Sequence, residues 1–148
     1  MVSFNLLWSF HPANLGIINP CTTDGTINFN NQCAIRMGVC LSDAGVPISS
    51  FSGAKCYPGH NHGQIHILRA QELADWMVSQ SAYFGAAEVK KDVDSSDYSG
   101  RKGIVFLKNF WGPGSQGDHI DLWNGTKMSQ GAPEYFGKAQ EAWFWEVA

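Results

Sequence analysis

The sequence predicts an α+β fold, with helices first and an antiparallel sheet after them. Three observations predict it. In the first half, Cys33, Met37, Cys40, Leu41 and Ala44 recur at helical spacing, and Leu73, Trp76 and Met77 share one face of a second helical pattern. In the second half, residues 103–107 (Gly-Ile-Val-Phe-Leu) form an unbroken apolar run of strand length. Residues 119–123 (His-Ile-Asp-Leu-Trp) then alternate and lead into Asn124-Gly125, a strong short-range hairpin signal.

Taken in order, residues 4–10 form a short apolar helix ended by His11-Pro12. Residues 16–31 hold Asn19-Pro20 and Asp24-Gly25 and read as loop with one short extended piece. A helix begins at or just before Cys33, with Asn30 and Asn31 as capping residues and Gly45 and Pro47 as its stop. Residues 49–63 are a long irregular stretch, and residues 64–68 alternate as a short strand. A helix over residues 69–77 follows, then a polar turn at 95–100. Residues 103–107 make a central strand and residues 109–117 a glycine-rich loop. Residues 126–130 are the return strand of the hairpin, and residues 143–147 close the sheet. No repeat or linker interrupts the chain, so one catalytic domain over residues 1–148 is expected.

Composition narrows the function. The chain has 148 residues, 44% hydrophobic and 16% charged, which is enough for a core without staples. A net charge of -3 and basic residues in short pairs beside acids argue against a nucleic-acid partner. No run reaches transmembrane length, so no membrane insertion is expected. The N-terminus lacks a basic region and a sustained apolar run, so the chain is expected to be made in the cytoplasm without a cleaved leader. No glycine-rich phosphate loop is present, and no cofactor is implied. The four cysteines, Cys21, Cys33, Cys40 and Cys56, permit disulfides without requiring them.

Cys33 is the candidate nucleophile. In a first helical turn a thiol faces unpaired backbone N–H groups and the positive end of the helix dipole, which favour the thiolate. The backbone N–H of Cys33 is then a natural oxyanion donor. The plainer reading of Cys33 is a small buried hydrophobe. His119 is the candidate base, at the start of a strand beside a glycine-rich loop. Alternation places Asp121 on its face and Ile120 and Leu122 on the other. Gln130, across the turn, and Asp121 are the two candidates to orient the imidazole. A rival constellation is Cys56, His60, His62 and His66, whose residue types suit zinc although their spacing matches no established motif. A nucleophile at a helix start, packed on a sheet that carries a histidine, is a papain-like layout.

Whole segments then resemble the type VI secretion amidase effectors, family four. Residues 3–8 resemble the family's opening Ser-Phe-Asn-x-x-Trp. Residues 31–37, Asn-Gln-Cys-Ala-Ile-Arg-Met, resemble its nucleophile helix, and residues 102–105 its central strand. Residues 117–125 resemble its Gly-His-x-x-Leu-Trp-Asn-Gly segment, with Asp118 as an extra residue before the histidine. The resemblance implies an NlpC-type papain-like fold. It implies hydrolysis of peptidoglycan stem peptides at the γ-D-glutamyl–meso-diaminopimelate bond. It further implies delivery by the type VI secretion apparatus, action in a recipient's periplasm, and a cognate immunity protein. The family's third catalytic residue is an aspartate after the Asn-Gly turn, and that position here is Gln130, with Asp121 as the fallback. The competing functions are cleavage of the diaminopimelate–D-alanine crosslink, a zinc-dependent hydrolase or metal-binding module on Cys56, His60, His62 and His66, and a non-catalytic wall binder.

Overall fold

The computed structural model describes residues 1–56, 66–109 and 117–148. Its helices are α1 (Phe4–Phe10), α2 (Cys33–Asp43), α3 (Ala70–Val78), α4 (Ser81–Phe84) and α5 (Tyr135–Lys138). Its strands are β1 (Thr22–Thr23), β2 (Thr26–Ile27), β3 (Glu88–Lys90), β4 (Gly103–Lys108), β5 (His119–Trp123) and β6 (Glu141–Glu146). The strands β1 and β2 make a small hairpin, and the others form an antiparallel sheet of order β3-β6-β4-β5. The apolar run at 103–107 thus sits inside the sheet, as its unbroken hydrophobicity requires, and all of those residues are buried.

The two faces of the sheet follow from strand alternation. Ile104, Phe106, Ile120, Leu122 and Trp145 pack against Phe4 and Leu7 of α1, Met37 and Leu41 of α2, and Leu73 and Met77 of α3. Val105, Leu107, Trp123 and Phe144 face the other way, onto Tyr98, Met128 and Phe136. On that side Tyr98 and Phe136 stack at 4.8 Å, and Trp123 Nε1 donates to the Tyr98 carbonyl.

Helix α2 is buried on nearly every side, Arg36 included, and its Met37 and Leu41 are fully enclosed. Each such side chain contributes about 1.5–3 kcal/mol by burial. The helix stops where Gly45 adopts φ 92°, which lets the Val46 N–H return to the Leu41 carbonyl.

Two expected strands form only partly. Residues 64 and 65 lie outside the described residues, and from the segment that follows Ile67 makes one isolated bridge, to Lys55. The return strand over 126–130 is reduced to one bridge, Trp123 with Met128. The reason is competition from side chains. The Asn124 carboxamide accepts from the N–H groups of Thr126 and Lys127, and the Gln130 N–H donates to the Asp121 carboxylate. Past the turn the Thr126, Lys127 and Gln130 N–H groups thus go to side chains, and the Ser129 N–H goes to the Leu122 carbonyl of β5. Strand β3 was not expected from the sequence; it is three residues long and pairs with β6 alone.

Candidate active site

Cys33 opens α2, as its spacing predicts, and Asn31, one of the two expected capping residues, caps it from one residue ahead of the formal N-cap position. Gln32 holds the N-cap position without capping, because its carboxamide turns back to grip the Cys21 backbone. Asn31 serves instead: its Oδ1 accepts the Cys33 N–H at 3.2 Å. The expectation that this N–H is unpaired is therefore corrected, and its use as an oxyanion donor requires the Asn31 carboxamide to yield. The Cys33 thiol lies 3.7 Å from the Asp118 carbonyl, immediately before His119.

His119 starts β5 and is in hydrogen-bonding contact with Cys33. Its Nε2 lies 2.9 Å from Asp121 Oδ2, two residues along the same face of the strand. The Tyr135 ring meets the imidazole edge-on at 5.3 Å. Burial disfavours the imidazolium, but hydrogen bonds to Asp121 and Cys33 outweigh it and raise the His119 pKa to about 9.

The carboxylate that His119 meets is that of Asp121, one of the two candidates, and Gln130, the other, reaches the same carboxylate through its backbone. Its N–H donates to Asp121 Oδ2 at 3.0 Å, beside the His119 contact. The Leu122 N–H donates to Oδ1 at 2.8 Å. Burial raises the Asp121 pKa, but the partnership with His119 prevails and holds the carboxyl below its ordinary range.

His11 is a residue of this site that the sequence reading missed. It lies just past the C-terminal end of α1, and its Nε2 is 3.6 Å from Asp121 Oδ1. Its Nδ1 accepts the Ala13 N–H, so in the neutral ring the proton is on Nε2 and faces the carboxylate. Burial is the chief cause that lowers its pKa to about 4, against the pull of Asp121. Locally the sequence marks His11 only as a helix terminator, and no spacing signals its partner 110 residues away.

A cleft of about 430 Å³ opens at Cys33, lined by Asn31, Leu68, Arg69, Glu72 and Asp118 among others. Arg69 is the one cation among these described lining residues, largely exposed and 3.5 Å from Glu72. Of the rival metal set, Cys56 and His66 are brought together, joined by Cys21, while His60 and His62 lie outside the described residues. No disulfide joins any of the four cysteines, and all four are buried.

This is a papain-like α+β fold in which a cysteine at a helix start meets a histidine on an antiparallel sheet. The family model for the type VI secretion system amidase effector protein 4, Tae4, matches residues 29–145. The chain belongs to that family of secreted amidase toxins. No curated protein sequence matches it. Among solved structures it is similar to the effector Tae4 from Enterobacter cloacae, at TM-score 0.75 and 21% identity, covering 100% of this chain and 98% of that one. It is also similar to the effector–immunity complex Tae4–Tai4 from Salmonella Typhimurium, at TM-score 0.72 and 24% identity, covering 100% and 99%. At these identities the likeness concerns the fold.

Proposed function

We propose that the chain hydrolyses peptidoglycan stem peptides between γ-D-glutamate and meso-diaminopimelate, with Cys33 as nucleophile, His119 as acid and base, and Asp121 as the third member. The observation that carries the cysteine reading is the continuous line from Cys33, which lines the cleft, inward through His119 to Asp121. The choice of bond rests on the resemblance of residues 31–37 and 117–125 to the family's motifs.

The chemistry follows from the geometry. Cys33 gives its proton to His119, whose imidazolium is favoured by Asp121. The thiolate attacks the glutamyl carbonyl and a C–S bond forms. His119 passes its proton to the diaminopimelate nitrogen as the C–N bond breaks. It then deprotonates a water that hydrolyses the thioester and restores the thiol. Asp121 keeps one tautomer and one ring orientation throughout, since both of its oxygens are fixed by backbone N–H groups. Arg69, at the cleft wall, suits a carboxylate of the stem peptide.

We further propose delivery by the type VI secretion apparatus into a recipient's periplasm, and inhibition by a cognate immunity protein seated over the cleft. The solved effector–immunity complexes of similar folds support this partner. The decisive experiment is mass analysis of purified peptidoglycan digested by the native chain and by Cys33→Ala. New fragments ending at D-glutamate, from the native chain alone, are the expected result. Cleavage at diaminopimelate–D-alanine would keep the chemistry and replace the bond. Equal digestion by Cys33→Ala would remove Cys33 from the mechanism.

A further inference from the structure

Away from the proposed mechanism, three buried side chains from distant parts of the chain converge. The ligand atoms of Cys21, Cys56 and His66 all lie within 4.8 Å of one another. None takes part in the Cys33–His119–Asp121 line, and two thiols gathered around a buried imidazole are the residue types that suit zinc.

Each is held by backbone. Cys56 and His66 face each other across paired segments: the Cys56 N–H donates to the His66 carbonyl at 2.9 Å, and Leu68 and Ala54 add a further bond. Cys21 is clasped by the Gln32 carboxamide, which accepts the Cys21 N–H at 2.8 Å and donates to its carbonyl at 3.1 Å. Both sulfurs also accept N–H groups: Cys21 Sγ from Asn28 Nδ2 at 3.4 Å, and Cys56 Sγ from the His66 N–H at 3.1 Å. Such N–H donors to sulfur orient a thiolate ligand and offset its charge.

We propose that Cys21, Cys56 and His66 form a structural site for a thiophilic divalent cation, zinc first. Zinc–sulfur bonds of about 2.3 Å and zinc–nitrogen bonds of about 2.0 Å place tetrahedral ligand atoms roughly 3.5–4 Å apart. The cluster needs only a small contraction to reach that spacing. Binding replaces two S–H bonds by two metal–sulfur bonds and releases two protons, with the imidazole nitrogen as third donor and water completing the tetrahedron. Through Gln32, the neighbour of Cys33, the ion ties the loop at Cys21 to the start of α2. The donor set shares Cys56 and His66 with the constellation read from the sequence, but Cys21 enters from 35 residues away.

The test reads metal, not activity, so its failure is separate from failure of the amidase reading. The native chain is purified under reducing conditions and its zinc measured by mass spectrometry; after removal by chelator, cobalt is titrated in. One zinc per chain is expected, with a thiolate-to-cobalt charge-transfer band that saturates at one equivalent. Cys33→Ala keeps both signals, while Cys21→Ser and Cys56→Ser each lose the band. Zinc returned to the stripped native chain raises its Tm, a readout that does not depend on whether the variants fold. Absence of both zinc and the cobalt band in the reduced native chain overturns the site. So does a Cys21–Cys56 disulfide in a non-reducing peptide map of the native chain.

Discussion

At the scale of single residues the site turns on which atom of Gln130 is used. The family's pattern places a carboxylate at that position, and here the side chain is a neutral amide. The Gln130 peptide N–H meets a carboxylate that strand β5 itself supplies nine residues earlier, and the proposed mechanism takes that carboxylate as its third member. Two consequences follow for the proposed mechanism. Gln130→Ala keeps the N–H and should retain activity within about threefold, while Asp121→Asn should lose roughly 100-fold or more in kcat by offering His119 the wrong hydrogen-bond pattern. Steady-state hydrolysis of a purified stem peptide measures both, and equal losses in the two variants would return the role to the Gln130 side chain. A third residue acts by being small. A Cβ on Gly131 would lie 3.0 Å from His119 Nε2 and 2.9 Å from Met128 Sδ. Gly131→Ala therefore presses on the imidazole where it meets Asp121. We expect kcat to fall about tenfold or more with Tm shifted by only a few degrees, since Met128 can yield and the ring cannot without losing its partner.

At the scale of elements, the close seam is between β4 and β6. Gly103 pairs with Glu146, and a Cβ there would stand 2.1 Å from the Trp145 carbonyl oxygen. That neighbour is backbone, so the strands must part to admit a methyl group. Gly103→Ala should cost about 3 kcal/mol, a fall in Tm of roughly 10 °C for a chain of this size, read by thermal melting; an unchanged Tm would show that the seam is looser than drawn. The elements also show what local pattern can reveal. Helix α2 and strand β4 were legible because one period runs unbroken through each, and Cys33 and His119 were legible because each sits where its own element begins. The return strand at 126–130 was not, since the Thr126, Lys127 and Gln130 donors go to Asn124 and Asp121, a competition that alternation does not encode. Strand β3 exists because β6 offers it an edge, and its own three residues carry no core pattern. His11 and Cys21 were missed for a related reason: their partners lie far along the chain, and spacing signals only near neighbours.

At the scale of the whole molecule, two buried histidines share one aspartate and shape stability against pH in opposite directions. His119 is raised from 6.5 to about 9, so between those values the folded chain binds more protons than the unfolded one. Its contribution is fully present below pH 6.5 and is lost as pH rises through about 9. His11 is lowered from 6.5 to about 4, so the unfolded chain binds more protons in that window. Its neutral burial is tolerated above pH 6.5 and becomes a liability as pH falls toward about 4. Asp121, held below its ordinary range, adds to the acid side, because its stabilisation is lost on protonation. The two limbs meet near the ordinary histidine value, so unfolding free energy should peak close to pH 6.5 and fall on both sides. Urea denaturation at a series of pH values gives the curve. His119→Gln should flatten the alkaline limb while leaving the acid limb, and His11→Gln should do the reverse. If either substitution flattens both limbs, the histidines titrate as one coupled unit through Asp121 and the assignment of separate limbs is wrong.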